Sequence, residues 1–185
     1  MGCSRTCSRP TGAEAEAVPI EVLFCGWREQ PGLLRAGEAD VAIVVEPFDT
    51  EGLDVEPLTR EPQVLALPTG HPLAERQGLR LADVEAGRQR VAPGAHVYVR
   101  RGEPPPPFGD IVQMLRQIEL GRMIALLPVS VAERTARPQL TWCRVDDAPE
   151  AAFAVAWPQN SRSRAVATFV RVATTVSASR APGTA

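Results

Sequence analysis

The stretch Glu56–Val84, EPLTREPQVLALPTGHPLAERQGLRLADV, decides how the rest of the chain is read. Within it Gln63–Leu67 (QVLAL) is a short apolar run, long enough for a buried strand and too short for a helix. Glu61-Pro62 opens the run and Pro68-Thr69-Gly70 closes it, and both are strong breakers. His71-Pro72 then begins a new segment, because proline is tolerated in a first helical turn, where its missing N–H would be unpaired anyway. Leu73–Gln77 reads as one helical turn, stopped by Gly78. A buried strand running straight into a Pro-led turn suits a chain crossing between two half-domains.

Outward from this stretch, apolar runs alternate with helical patterns. Pro19–Phe24 (PIEVLF) alternates like a strand, and Gln30-Pro31 opens a short helix through Arg35 with Gly37 at its C-cap. Asp40–Val45 (DVAIVV) is a near-continuous apolar strand, the pattern of a parallel strand covered on both faces. Beyond the crossing, Leu81–Glu85 is a helical piece, Gln89–Ala92 a brief strand, and His96–Arg101 a strand or loop. Four prolines follow at Pro104–Pro107, a polyproline-II connection. Asp110 caps a helix whose Ile111, Met114, Leu115 and Ile118 fall at helical spacing. Met123–Leu127, Leu140–Val145 and Phe153–Trp157 are strands. Asn160 or Ser161 caps a last helix with Val166, Phe169, Val170, Ala173 and Val176 on one face. The alternation predicts an α/β protein with mostly parallel sheets, in which ligands bind beyond the strand ends at the switch point. The loops there are Gly26–Arg28, Glu46–Asp49, Pro93–His96 and Pro128–Ser130.

Four runs in register carry a resemblance: LLRAGEADVAIVVE (Leu33–Glu46), the Glu56–Val84 stretch, LGRMIALLPVSVAE (Leu120–Glu133) and FAVAWPQNSRSRAVATFV (Phe153–Val170). Together they resemble the effector-binding domain of LysR-type transcriptional regulators, over about residues 18–176. The resemblance implies two Rossmann-like lobes of the type II periplasmic-binding-protein-like fold. Lobe I would take residues 18–62 and 158–176 and lobe II residues 63–157, with a disordered tail at 1–17 and a flexible one at 177–185. It implies a cytoplasmic bacterial sensor of a small-molecule effector. It also implies that the winged helix-turn-helix and the opening strand and helix of lobe I lie outside this sequence, so the chain reads as N-terminally truncated and its first lobe as incomplete. Direct nucleic-acid binding is then not expected, and a homodimer would form through the Asp110–Leu120 helix. The alternatives are a stand-alone solute-binding protein of the same fold, for which no export signal is found, and a non-functional gene fragment.

Composition supports a soluble globular reading: 185 residues, 44% hydrophobic and 23% charged. A net charge of −2 gives no general attraction to phosphate backbones. All 20 basic residues are arginine, scattered along the chain. No run reaches the roughly 18 apolar residues of a membrane span. Cys3, Cys7, Cys25 and Cys143 form no C-x-x-C pair and have no neighbouring histidines to complete a metal site, so no metal or cofactor is expected.

Catalysis is not expected either. Neither a G-x-S-x-G elbow nor a P-loop is present, and the two histidines, His71 and His96, are scattered. His71 reads as a structural turn residue. Asp146-Asp147 and Glu150 read as a solvated hairpin loop. The ligand-binding candidates are Trp27, Arg28, Glu46, Pro93, Gly94 and His96. Trp27 follows a strand and offers a large amphipathic wall, or else a core tryptophan. Arg28 suits a carboxylate ligand and Glu46 a polar group, unless the two form an ordinary surface pair. Pro93–His96 is a strand-end turn.

Overall fold

A computed structural model of the chain describes residues 6–7, 19–26 and 28–180. Thr6–Cys7 (β1) and Glu21–Val22 (β2) form a small antiparallel pair. Gln30–Ala36 (α1) ends on Gly37, whose φ of 70° lets its N–H reach the carbonyls of Leu33 and Leu34. Ala42–Val45 (β3) and Leu53–Glu61 (β4) follow, then Gln63–Pro68 (β5), a 3-10 turn at Pro72–Glu75 and Leu81–Glu85 (α2). Arg88–Arg90 (β6) and Val97–Arg100 (β7) make a hairpin. The remainder is Ile111–Glu119 (α3), Ile124–Pro128 (β8), Val129–Glu133 (α4), Leu140–Arg144 (β9), Ala151–Pro158 (β10) and Arg164–Arg180 (α5).

These strands build two larger sheets, one of order β3-β10-β4 and one of order β6-β7-β8-β5-β9. The chain passes between them twice. Pro62 separates β4 from β5, so the first crossing falls inside the Glu56–Val84 stretch. The second lies between β9 and β10 and corrects two expectations. Ala151–Pro158 pairs with β3 and β4, so the second lobe ends near residue 150 rather than at 157. Asp146-Asp147 is accordingly not a hairpin tip: Asp147 accepts a hydrogen bond from the first N–H of α2, at Leu81 (2.7 Å), and the Asp146 N–H donates to the Leu79 carbonyl (2.8 Å). Two carboxylate-bearing residues thus tie the second crossing to the start of α2.

A further correction concerns strand direction. Every ladder in the two larger sheets is antiparallel. β3 and β4 run the same way but are separated by the returning β10. The apolar runs reported burial on both faces, and that part holds in the second lobe. Leu65 and Leu67 of β5 with Ile124 and Leu126 of β8 pack under the Pro72–Glu75 turn and α2, with Leu73, Leu79 and Val84. Ala66, Ala125 and Leu127 face the other way, onto Met114, Leu115 and Ile118 of α3. Layering, not strand direction, sets such a run, so the pattern alone could not decide it.

The first lobe is covered less evenly. Leu34 of α1 packs on Val44, Leu53, Ala154 and Ala156, which closes one face. On the other face α5 lies along β4, where Ser177 Oγ donates to the Leu58 carbonyl (2.6 Å). β3 is left bare there: Ile43 is 47% and Val45 48% exposed. The expectation that Asp40–Val45 is covered on both faces therefore fails, because nothing among the described residues lies over the outer side of that edge strand.

At the ends, α5 continues through Arg180, so residues 177–180 are helix rather than tail. Residues 1–5, 8–18, 27 and 181–185, which include most of the expected tail at 1–17, lie outside the described residues. The helix expected to begin near Asn160 starts at Arg164, with the Val166 N–H donating to Ser163 Oγ (3.4 Å). No described helix is long and apolar enough to cross a membrane.

Candidate functional site

Four loops meet where the two lobes touch. The first, Gly26–Glu29, joins β2 to α1. Its turn is closed by Glu29, whose carboxylate accepts from the Gly26 N–H (2.7 Å). Arg28 sits at φ 65°, a left-handed conformation unusual for a residue with a side chain. From there its guanidinium donates to the Pro47 carbonyl (3.0 Å), beyond β3 in the first lobe, and to the Pro93 carbonyl (3.3 Å), beyond β6 in the second. One cation thus bridges the lobes.

Two glycines let the loops approach this closely. Gly94 has φ 72°, and a Cβ built on it would overlap Cγ of Pro47. At Gly26 a Cβ would stand 2.8 Å from the Gly109 carbonyl oxygen, ahead of α3. Of the residues expected at a site, the structure therefore brings together Arg28, Pro93 and Gly94. Glu46 is exposed at the end of β3, its N–H donating to the Ala152 carbonyl (2.9 Å). Trp27 lies outside the described residues.

His96 turns elsewhere. Its Nδ1 meets the Tyr98 hydroxyl (2.9 Å), which donates to Glu85 (3.4 Å), and Glu85 pairs with Arg90 (2.6 Å). Burial, then the Arg90 charge, lowers the His96 pKa from its ordinary value, while Glu85 raises it. His71 is structural as expected: Nδ1 accepts the Leu73 N–H (3.1 Å) and so caps the 3-10 turn. Burial, and then Arg88 and Arg100, lower its pKa too. Cys25 and Cys143 are free, partly buried thiols whose pKa values burial pushes up, the opposite of a reactive thiolate. No group of His, Cys, Asp or Glu among the described residues could hold a metal ion.

Sequence reasoning named the loops that hold Gly26 and Pro47 without singling out either residue as a site residue, and it missed Gly109. The available signal was glycine or proline in each of the converging loops. A cavity of about 530 Å³ lies away from these loops, lined by residues such as Glu56 of β4, Trp157 of β10 and Val166 and Val170 of α5. It belongs to the first lobe alone.

A model of the LysR substrate binding domain matches residues 13–178. The chain belongs to the LysR substrate-binding domain family. Among known proteins it is similar to the HTH-type transcriptional regulator BudR of Raoultella terrigena, 27% identical over 154 residues, 75% of this chain and 53% of BudR. The chain thus spans about half of that regulator's length. A probable hydrogen peroxide-inducible genes activator of Mycobacterium xenopi is 46% identical over 44 residues, covering 24% of this chain and 23% of that one. Among solved structures it resembles the oxidized form of OxyR, with a TM-score of 0.61 at 19% identity, covering 84% of this chain and 79% of that one. The BenM effector binding domain with its effector benzoate gives a TM-score of 0.54 at 17% identity, covering 83% and 76%. At these identities the structures establish the fold, and it is the two-lobed periplasmic-binding-protein-like arrangement expected.

Proposed function

We propose that this LysR substrate-binding domain is the small-molecule sensor of a transcriptional regulator, with its effector seated between the lobes against Arg28, Pro93 and Gly94 and beside Glu46. The observation that carries the reading is the Arg28 bridge, which gives one guanidinium an acceptor in each lobe. A ligand carboxylate is a stronger acceptor than either carbonyl and can take the guanidinium bidentately. Binding would therefore exchange the bridge for ligand contacts and shift the balance between lobe arrangements. It can do so only by as much as the ligand's affinity differs between them. BenM, which shares the fold, binds the carboxylate benzoate, which makes small organic acids the first class to try. DNA contact is left to another part of the regulator, and self-association to α3, whose Ile111 and Val112 are exposed.

A thermal-shift screen of small carboxylates, with every hit repeated on Arg28→Gln, tests this. The expected result is a hit that raises Tm in the parent chain and loses most of its effect in the variant. Hits that stabilise both proteins equally would remove Arg28, and the cleft with it, from the proposal.

A further inference from the structure

Away from the lobe contact, α2 and the β6–β7 hairpin border an open hollow of about 280 Å³, lined by Glu85, Arg88, Arg90, Tyr98 and Arg101. The sheet register sets Arg88 directly opposite Arg100 and Arg90 opposite Tyr98, so these four side chains share one face of the hairpin. Like charges directly opposite on paired strands are destabilising. Here Arg88 lines a pocket that gathers Arg90 and Arg101 as well.

Neutralising charge is scarce. Glu85 accepts from Arg90 and from Tyr98, and it is the only carboxylate among the lining residues. Arg88 instead donates to the Val84 and Ala86 carbonyls (3.2 and 3.1 Å), which fix its guanidinium without cancelling its charge. Its remaining contact is ill-matched. His71 Nε2 lies 3.2 Å from Arg88 Nη2, but His71 Nδ1 already accepts the Leu73 N–H. A neutral imidazole accepts at one nitrogen only, so Nε2 carries the proton and presents a donor to a donor. Burial followed by the Arg100 charge lowers the Arg88 pKa, which reports the same crowding. Arg101 is exposed, and its backbone N–H is anchored to the Gly87 carbonyl (2.9 Å). In a chain of net charge −2, this is a local surplus of cations around a hollow.

We propose that this pocket binds a compact dianion of the phosphate class, inorganic phosphate or a phosphate ester, between the Arg88 and Arg101 guanidinium groups, with Arg100 lending charge. Planar guanidinium forks match phosphate oxygens two at a time. The anion would give Arg88 the acceptor that His71 cannot supply and would relieve the Arg88–Arg100 repulsion. The site stands apart from the Arg28 bridge and does not depend on the effector reading.

Isothermal titration of the chain with inorganic phosphate, at constant ionic strength set by chloride, tests the assignment. Saturable binding is expected. It should weaken roughly ten- to a hundredfold in Arg101→Gln, the loss of one charge-assisted contact of about 1.5–3 kcal/mol. Arg101→Gln removes no backbone anchor, so folding is not at stake. A glycerol phosphate arm separates the free ion from an ester: either or both binding fits the phosphate class. Absence of saturable binding of both inorganic phosphate and glycerol phosphate, an unchanged constant in Arg101→Gln, or binding of succinate in preference to either would each overturn the proposal.

Discussion

Replacing Gly94 with alanine perturbs the lobe contact at its tightest point, and the structure supplies its own control. Gly94 and Gly37 hold nearly the same backbone conformation, φ 72° and 70°, but a Cβ on Gly37 meets nothing within 4 Å while one on Gly94 overlaps the Pro47 ring. Alanine at either position incurs the left-handed backbone penalty of about 1–2 kcal/mol. Only Gly94→Ala adds an overpacking cost, about 1–3 kcal/mol if the loops stay in contact. The expected totals are therefore about 1–2 kcal/mol for Gly37→Ala and roughly 2–5 kcal/mol for Gly94→Ala. Urea denaturation of the parent, both variants, Pro47→Ala and the Gly94→Ala/Pro47→Ala double variant separates the terms. Removing the Pro47 ring should return the overpacking part, giving a coupling of about 1–3 kcal/mol between positions 47 and 94. Equal losses in the two glycine variants, with a coupling below about 0.5 kcal/mol, would mean that the loops are not pressed together in solution.

Three further outcomes follow from the same structure. Glu119, with its side chain 5% exposed, accepts from Arg137 and Arg116 (2.8 Å each), and these hydrogen bonds hold its carboxyl below the usual carboxylate range. A depressed folded-state pKa gives stability that is present above the unfolded value, near 4.3, and is lost as pH falls through the folded one. Glu119→Gln should cost about 1 kcal/mol at pH 7 in urea denaturation and almost nothing once the parent carboxyl is protonated. His71 and His96 are also depressed, so their contribution is complete above the unfolded value of about 6.5 and declines as pH falls from there. Tm measured between pH 8 and pH 5 should drop on the acid side, by less in a His71→Gln/His96→Gln double variant. On β3, Val44 is 3% and Val45 48% exposed, so Val44→Ala should cost about 2 kcal/mol and Val45→Thr less than about 0.5 kcal/mol by the same assay.

What could be read from sequence tracks how local the controlling physics is. Gly37 as a helix stop, Asp110 as a helix cap and QVLAL as a buried strand each depend on a few neighbours, and each is found where expected; the Asp110 carboxylate accepts the Gln113 N–H at 2.8 Å. Strand direction and lobe membership depend on partners about a hundred residues away. β10 inserts between β3 and β4, and no local pattern in Phe153–Trp157 announces that. The same limit applied to the site. The loops were legible as strand ends, so Arg28, Pro93 and Gly94 could be named, but His96 turns toward Tyr98 because the β6–β7 hairpin sets its ring on that face. The arginine pocket was invisible in a scatter of arginines until the register paired Arg88 with Arg100.

The proposed function has an effector sensed where Arg28 joins the two lobes. Backbone NMR of the isotopically labelled chain, titrated with the strongest carboxylate from the thermal-shift screen, tests it most directly. The largest amide shifts are expected at residues 26–29, 46–49, 92–96 and 108–109, with the α5–β4 groove nearly silent. Shifts concentrated instead at Glu56, Trp157, Val166 and Val170, with the Arg28 loop unmoved, would contradict it.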